Sequence, residues 1–319
     1  MPTRRSLLLA ALAGSALHLP TVRAGISRGN PPGEAGYVDL MPDFWKAYTR
    51  AEGAADRAQA LQDGFFAPHH AIYAAAGLKP RTERIARWLP DFDAMAADVR
   101  RIVAGFPDLY AAHARRFADA FPDFDRTRAP IYLLPSLFAF DGHLEPGDGQ
   151  LPLFIGADGL VRYHGTSPDL AVFLDHESFH LYQSQIAPEA MLDPAPPVYA
   201  MLWTEGVASY VSERLNPDAA LLHVLLDDVH LAGADAATRR ELAAAILAVL
   251  DSTREADALR FFSAGATGPW PARGGYLVGL EVARRIGREL PLAQLPRLQG
   301  AALRERLAHE LAALAAGED

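Results

Sequence analysis

The feature that most constrains this chain is a cluster of histidine and glutamate inside an apolar helical segment. His176-Glu177-Ser178-Phe179-His180 lies between Leu170 and Leu181, where apolar residues recur at broadly helical spacing. Residues four apart share one face of an α-helix, so both imidazoles can reach the same ion. Two histidines and an acid are costly in an apolar helix without such a partner. The pattern therefore predicts a buried helix that carries a metal site, in preference to two hydrogen-bonded core histidines beside a surface glutamate.

The sequence before this cluster predicts where its helix begins. Ser167-Pro168-Asp169 is typical of an N-cap, a proline at the first helical position and an acid in the first turn. No glycine or proline follows until Pro188. The cluster is therefore expected about two turns into a continuous helix.

A catalytic zinc site needs a third protein ligand and one position open to water. Glu205 is the best candidate, because it lies in a second helical stretch that begins after the proline-rich turn at 193–197. That turn lets the chain reverse, so an antiparallel helix can bring Glu205 back over the first. Gly206 and Ala208 are small and suit a close approach of two helices. The alternative is an exposed carboxylate stabilised by the helix N-terminus.

These residues resemble the gluzincins, the thermolysin-like and related metallopeptidases with HExxH and a downstream glutamate. The match is closer to a family of predicted bacterial zinc-dependent proteases, and it covers roughly Ala129 to Arg288. The motifs that carry it are HESFH, TEGVASY and RGGYLVG, at 176–180, 204–210 and 273–279.

The resemblance implies a ligand set and a catalytic base. His176, His180 and Glu205 would hold one Zn²⁺ per chain, and Glu177 would be the general base. Thermolysin-like enzymes carry an aspartate four residues after the third ligand, whereas this chain has Ser209. Either a hydroxyl or another group therefore supports the ligating histidine, or the site is tuned differently.

The fold class predicted is α+β and mainly helical, with a small β-sheet beside a zinc-binding helix pair in a thermolysin-like core. Strands are predicted at 131–134 and 151–157, and 153–157 is the predicted edge strand for pairing with a peptide substrate. An ordinary structural hairpin is the alternative. The chain is expected to form one metallopeptidase-like domain over 44–319. Its parts would be a helical N-terminal part at 44–125 with a break near Pro107, a zinc-site core at 129–288 and C-terminal helices at 289–319.

The N-terminus predicts export. Arg4-Arg5 precede an apolar run from Leu7 to Leu19, and Val22-Arg23-Ala24 offers small residues for a signal peptidase. Residues 1–24 are therefore expected to be a signal peptide, and residues 3–8 resemble a twin-arginine export signal. A permanent membrane anchor is the alternative. Residues 25–43, rich in Gly and Pro, are expected to be a flexible arm. The mature protein would be periplasmic or secreted, with no stable membrane span after cleavage.

Composition excludes several other classes. A formal charge of −9 argues against nucleic acid as a partner, since that would require a basic face. The chain contains no cysteine, which excludes disulfides and thiol catalysis. The expected partner is a peptide or protein substrate.

The function predicted is zinc-dependent hydrolysis of a peptide bond, with Glu177 taking a proton from the attacking water and returning it to the leaving amine. The developing oxyanion needs a further donor. Tyr276 or Arg273 is expected to supply it, and Tyr210 is less favoured. The same site could cleave a non-peptide amide or ester. Outside enzymes, the chain could be an exported binding protein stabilised by its metal.

Overall fold

The computed structural model describes residues 36–145, 151–191 and 193–318. It is mainly helical with a four-stranded sheet, which confirms the predicted fold class at that level. The described residues divide into two compact units. The helical unit comprises Ala112–Asp125 and the chain from Asp169 onward. The sheet unit comprises the chain up to Ala111 and Arg126–Pro168.

The sheet unit is built on four short strands in the order β1-β2-β4-β3. They are β1 Val38–Asp39, β2 Ile131–Leu134, β3 Gly142–Leu144 and β4 Leu153–Gly156. β1 pairs with β2, and β2 with β4, in parallel, whereas β3 and β4 are antiparallel. All four residues of β4 are buried, as expected for an apolar run at the centre of a sheet.

The prediction that 153–157 forms a free edge is wrong. β4 pairs with β2 on one side and with β3 on the other, so its backbone groups are already used. The missing information was β3, whose residues carry no strand signal comparable to the apolar run of β4. A peptide substrate therefore cannot add to the sheet along β4.

Helices account for the rest of the sheet unit. They are α1 Met41–Ala51, α2 Arg57–Leu61, a π-helical turn Gln62–Phe66, α3 His70–Ala75, the first part of α4 Thr82–Ala120, and α5 Ala157–His164. The predicted break near Pro107 is wrong, because α4 runs through both Pro90 and Pro107. Buried aromatic side chains along it, including Phe92 and Phe106, stabilise the helix against the loss of two backbone donors.

The predicted flexible arm is shorter than expected at its C-terminal end. Residues 25–35 lie outside the described residues, but Val38 and Asp39 form β1 and Met41 begins α1. The Asp39 Oδ1 accepts a hydrogen bond from the Met41 backbone N–H at 2.8 Å. Tyr37 and Leu40 are buried on either side. Apolar burial therefore ties 36–43 to the sheet unit despite their glycine and proline neighbours.

The helical unit contains three long central helices and several shorter ones. They are α6 Leu170–Ile186, α7 Pro188–Met191, α8 Val198–Leu215, α9 Leu221–Val224, α10 Val229–Ala232, α11 Ala236–Leu247, α12 Glu255–Phe262, α13 Gly274–Gly287 and α14 Gly300–Ala316. α8 packs against both α6 and α13. The core of the unit is formed mainly from these helices with α11 and α14.

Both site helices begin slightly differently from the prediction. Asp169, not Ser167, is the N-cap of α6, and its Oδ1 accepts from the backbone N–H groups of Ala171 and Val172. An aspartate at this position satisfies two donors that the helix leaves free. α8 begins at Val198, so Glu205 lies in the middle of the helix and is buried. The alternative of an exposed helix-start carboxylate is therefore excluded.

The α8–α13 contact depends on a pair of glycines. A Cβ on Gly206 would lie 2.3 Å from the carbonyl carbon of Gly279, and a Cβ on Gly279 would lie 2.6 Å from the Leu202 oxygen. These helices thus touch backbone to backbone. The glycine next to Glu205 sets how closely α13 approaches the predicted ligand.

Within residues 36–145, 151–191 and 193–318, no helix has both the length and the apolar content needed to cross a bilayer.

The glycine contact predicts a large difference between two Gly→Ala variants. Gly279→Ala should lower the free energy of unfolding by about 3 kcal/mol, because the neighbour it meets is backbone and cannot rotate away. Gly105→Ala is the matched control: it lies in α4, is exposed and meets nothing within 4 Å. It should stabilise by about 0.5–1 kcal/mol through helix propensity. Chemical denaturation of both variants measures the difference, and equal stability would contradict the close contact.

Candidate metal centre

His176, His180 and Glu205 converge in the core of the helical unit. One ligand atom from each lies within 4.8 Å of the other two. The two histidine Nε2 atoms are 3.1 Å apart. The Glu205 Oε2 lies 3.5 Å from the His176 Nε2 and 3.6 Å from the His180 Nε2. All three side chains are at most 4% exposed. The predicted grouping of these residues is thus present in the folded chain.

The donor set fits a metal ion. The Glu205 Oε2 is buried and has no hydrogen-bond partner among the described residues, which is costly for a carboxylate oxygen. Ligands about 2.0–2.1 Å from a tetrahedral ion lie roughly 3.3 Å from one another. The three observed separations are close to that value, so one ion can satisfy all three atoms.

The electrostatics of the group favour an ionised Glu205. Burial opposes this charge, but the two histidines outweigh it and lower the pKa of Glu205. Burial also lowers the pKa of His176, and the neighbouring His180 and Arg273 add to this effect. For His180 burial acts in the same direction, but the negative charges of Glu205 and Glu177 and hydrogen bonding raise its pKa overall. The site is therefore poised to accept positive charge between Glu205 and the imidazoles.

The two imidazoles differ in the hydrogen bonding of their second ring nitrogen, Nδ1. The His180 Nδ1 lies 3.3 Å from the Gln183 Oε1, which can accept its proton and leave Nε2 with a lone pair for a metal. The His176 Nδ1 is buried and, among the described residues, has no hydrogen-bond partner. Ser209 does not supply one, since its buried Oγ is also without a partner there. Gln183 was missed by the sequence analysis, although it follows His180 by three residues on the same helix.

Glu177 lies beside the buried ligands and is partly exposed. Its negative charge contributes to raising the pKa of both His180 and Tyr276. This carboxylate is therefore close to the metal ligands while still having contact with solvent. A base that exchanges protons with water needs this combination.

Tyr276 lies at the same site. Its ring is nearly parallel to that of His176, with centroids 6.3 Å apart and an interplanar angle of 12°. Burial, followed by the negative charge of Glu205, holds the pKa of Tyr276 well above its usual range. The hydroxyl is therefore a neutral donor near Glu205.

Arg273 is held over Tyr276 from the turn before α13. Its φ of 58° is left-handed, and its guanidinium carbon lies 5.6 Å from the centre of the Tyr276 ring. The Asp228 Oδ2 accepts a hydrogen bond from the Arg273 Nη2 at 3.0 Å. The Arg273 Nε is buried and has no partner within the described part of the chain. Arg273 thus places a fixed positive charge near His176 and Tyr276.

Tyr210 is not at the site. A Cβ on Gly287 would lie 2.4 Å from its ring, which places Tyr210 against the C-terminal end of α13, whereas Tyr276 is in the first turn. The sequence could not separate the two tyrosines, because the choice depends on how α8 crosses α13.

A pocket opens beside the third ligand. Apart from Thr204 and Glu205, its lining is apolar and comes from the chain between α7 and the first half of α8: Ala190, Met191, Pro196, Ala200 and Met201. The predicted proline-rich turn therefore does more than reverse the chain, since Pro196 forms part of the wall. The pocket borders Glu205.

No protein-family model matches the chain, and comparisons with curated proteins and with solved structures find no significant match.

The metal centre predicts one bound divalent transition-metal ion per chain. His176→Ala, His180→Ala and Glu205→Ala should each weaken binding by more than about 100-fold, since losing even an outer-shell partner of a ligand costs 10–100-fold. His230→Ala, an exposed histidine outside the group, should leave binding unchanged. Elemental analysis after dialysis measures the metal content of each variant, and competition against a chromophoric chelator measures its affinity. Full occupancy in all three ligand variants would remove the site.

Proposed function

We propose that the chain is an exported zinc-dependent peptidase with a gluzincin-type site. The observation that carries this proposal is the buried group of His176, His180 and Glu205 with an orphaned carboxylate oxygen between two imidazoles. Two histidines and one glutamate are a ligand set used by catalytic zinc, which leaves a position for substrate or water. Zinc held there would act as a Lewis acid and lower the pKa of a water molecule at the site.

Glu177 is the proposed general base. It is adjacent in sequence to the ligand His176 and, unlike the three ligands, is partly exposed. It would take a proton from the attacking water and return it to the leaving amine. A non-catalytic metal site would have no need for an acid at this position, and this favours an enzyme over an exported binding protein.

Tyr276 and Arg273 are the proposed oxyanion donors. The Tyr276 hydroxyl is kept protonated and lies beside Glu205, while Arg273 adds positive charge over the same ring. Negative charge that develops on the carbonyl oxygen would be stabilised there more than in the ground state.

The thermolysin-like core and the export route also belong to this proposal. They rest on the motif resemblance and on the sequence of residues 1–24, which lie outside the described residues.

Glu177→Gln tests the base. The amide keeps the shape but cannot accept a proton, so hydrolysis should fall by about 10²–10⁴-fold while metal content and stability are unchanged. Glu305→Gln, an exposed glutamate on α14, is the control and should keep full activity. Cleavage of a mixed-sequence peptide library, followed by mass spectrometry, measures the loss. Wild-type protein that binds zinc but cleaves only esters would redirect the proposal to non-peptide substrates, and equal cleavage by Glu177→Gln would remove Glu177 from the mechanism.

Tyr276→Phe tests transition-state stabilisation. Loss of one oxyanion donor should lower kcat by about 10²–10³-fold with little change in KM or metal content. Tyr210→Phe is the matched control, because this tyrosine lies in the same unit but at the other end of α13. Steady-state kinetics on a peptide substrate separates the two variants. An unchanged kcat for Tyr276→Phe would assign the donor role to Arg273 alone.

A further inference from the structure

α6 carries a second polar stripe besides its metal ligands. Its members are spaced by three, four and three residues: Asp175, Ser178, Tyr182 and Gln185. At about 100° per residue they lie on one face of the helix, and Asp175 and Ser178 point roughly 150° away from His176 and His180. All four hydrogen-bond to the segment 112–125. We call this stripe with its partners the polar seam.

Asp175 is the most heavily bonded member of the polar seam. It is fully buried and accepts from the His113 Nδ1 at 2.7 Å and from the Arg116 Nη2 at 2.6 Å and Nε at 3.1 Å. The Asn216 Nδ2, at the C-terminal end of α8, donates to it at 2.7 Å. A carboxylate with this many donors is fixed in place and tolerates burial. One side chain, next in sequence to a metal ligand, thus ties α6 to two other elements.

Ser178 completes the connection to the same histidine. Its hydroxyl lies 2.9 Å from the His113 Nε2, which can accept its proton while Nδ1 donates to Asp175. Serine, histidine and aspartate in this order resemble a nucleophile relay. Ser178 is only 1% exposed, however, so no substrate reaches its oxygen. The arrangement therefore acts on the helix and not on a substrate.

The polar seam continues along the remaining turns of α6. The Tyr182 hydroxyl donates to the Asp123 Oδ1 at 2.8 Å. The Gln185 side chain donates to the Asp125 oxygen at 2.8 Å and accepts from its backbone N–H at 2.9 Å. These directional bonds restrain both the rotation and the axial position of the helix, which apolar packing alone restrains less.

Such restraint matters because only one of the two ligand rings, that of His180, has a hydrogen-bond partner behind its ligand atom among the described residues. The His176 Nδ1 has no partner among the described residues. With Cα atoms about 2.3 Å from the axis and the added length of a histidine side chain, a 10° helix rotation moves Nε2 by roughly 1 Å. Metal–ligand distances tolerate only about 0.2 Å. The orientation of α6 therefore decides whether both imidazoles reach the ion.

We infer that the polar seam is a positioning device for the metal ligands, with Asp175 and Ser178 as its central positioning residues. They hold the opposite face of α6 so that His176 and His180 meet Glu205 in metal-binding geometry. This inference rests on the proposed metal site. It assigns a role to residues that touch neither the ion nor the substrate.

Ser178→Ala and Asp175→Asn test the inference. Both should weaken metal binding by about 10–100-fold, as expected for residues that orient metal ligands. Binding of Zn²⁺ is measured by chelator competition, and Co²⁺ substitution reports the ligand geometry through its visible absorption bands, which should shift in both variants. Ser178→Ala removes a single hydrogen bond, so it provides the test if Asp175→Asn does not fold.

Leu307→Ala is the control for a loss of stability alone. Leu307 is fully buried in α14, which packs mainly on α11. A cavity there should lower the melting temperature at least as much as Ser178→Ala, while Zn²⁺ affinity and the Co²⁺ spectrum stay as in the wild type.

The outcomes separate this inference from the proposed function. If both seam variants bind Zn²⁺ with the wild-type affinity and give the wild-type Co²⁺ spectrum, the positioning role is overturned but the metal site stands. An equal loss of affinity in Leu307→Ala overturns it as well, since general destabilisation would then explain the effect. A wild-type chain that binds no Zn²⁺ or Co²⁺ overturns the metal site and this inference together.

Discussion

The buried Glu205 carboxylate between two imidazoles is the interaction on which the site depends. A charge in the core is unfavourable unless it is paired. Here the Glu205 Oε2 lies 3.5 and 3.6 Å from two Nε2 atoms and, in the described part of the chain, has no hydrogen-bond partner. Both histidines lower the pKa of Glu205, so it stays ionised. An ion shared by the three atoms would remove this cost, and the grouped atoms could hold one.

α8 brings the components together because it packs on two helices at once. It carries Glu205 toward α6, while Gly206 lets α13 approach until backbones touch. That close approach places Tyr276 beside Glu205 and its ring parallel to that of His176. A single glycine next to a ligand thus links the packing of the helical unit to the chemistry of the site.

Opposite faces of α6 carry different groups of polar residues. One face supplies His176 and His180 to the ligand group, and the opposite face supplies Asp175 and Ser178 to a buried hydrogen-bond network. Fully satisfied polar networks give directional restraint that apolar contacts lack. The result is a helix that is polar on both sides yet buried, which explains why its sequence has no simple apolar stripe.

The sequence by itself determined the local features. Helical spacing settled that His176 and His180 share a face, and apolar β-rich runs located β2 and β4, because these patterns depend only on neighbours in the chain. Tertiary structure alone decided which distant groups meet. It confirmed that Glu205, which the sequence offered only as a candidate, lies beside the two histidines. It also placed Tyr276 and not Tyr210 there, put β4 inside the sheet and carried α4 through Pro107. Each of these outcomes depends on long-range packing and pairing between elements, which no local pattern encodes.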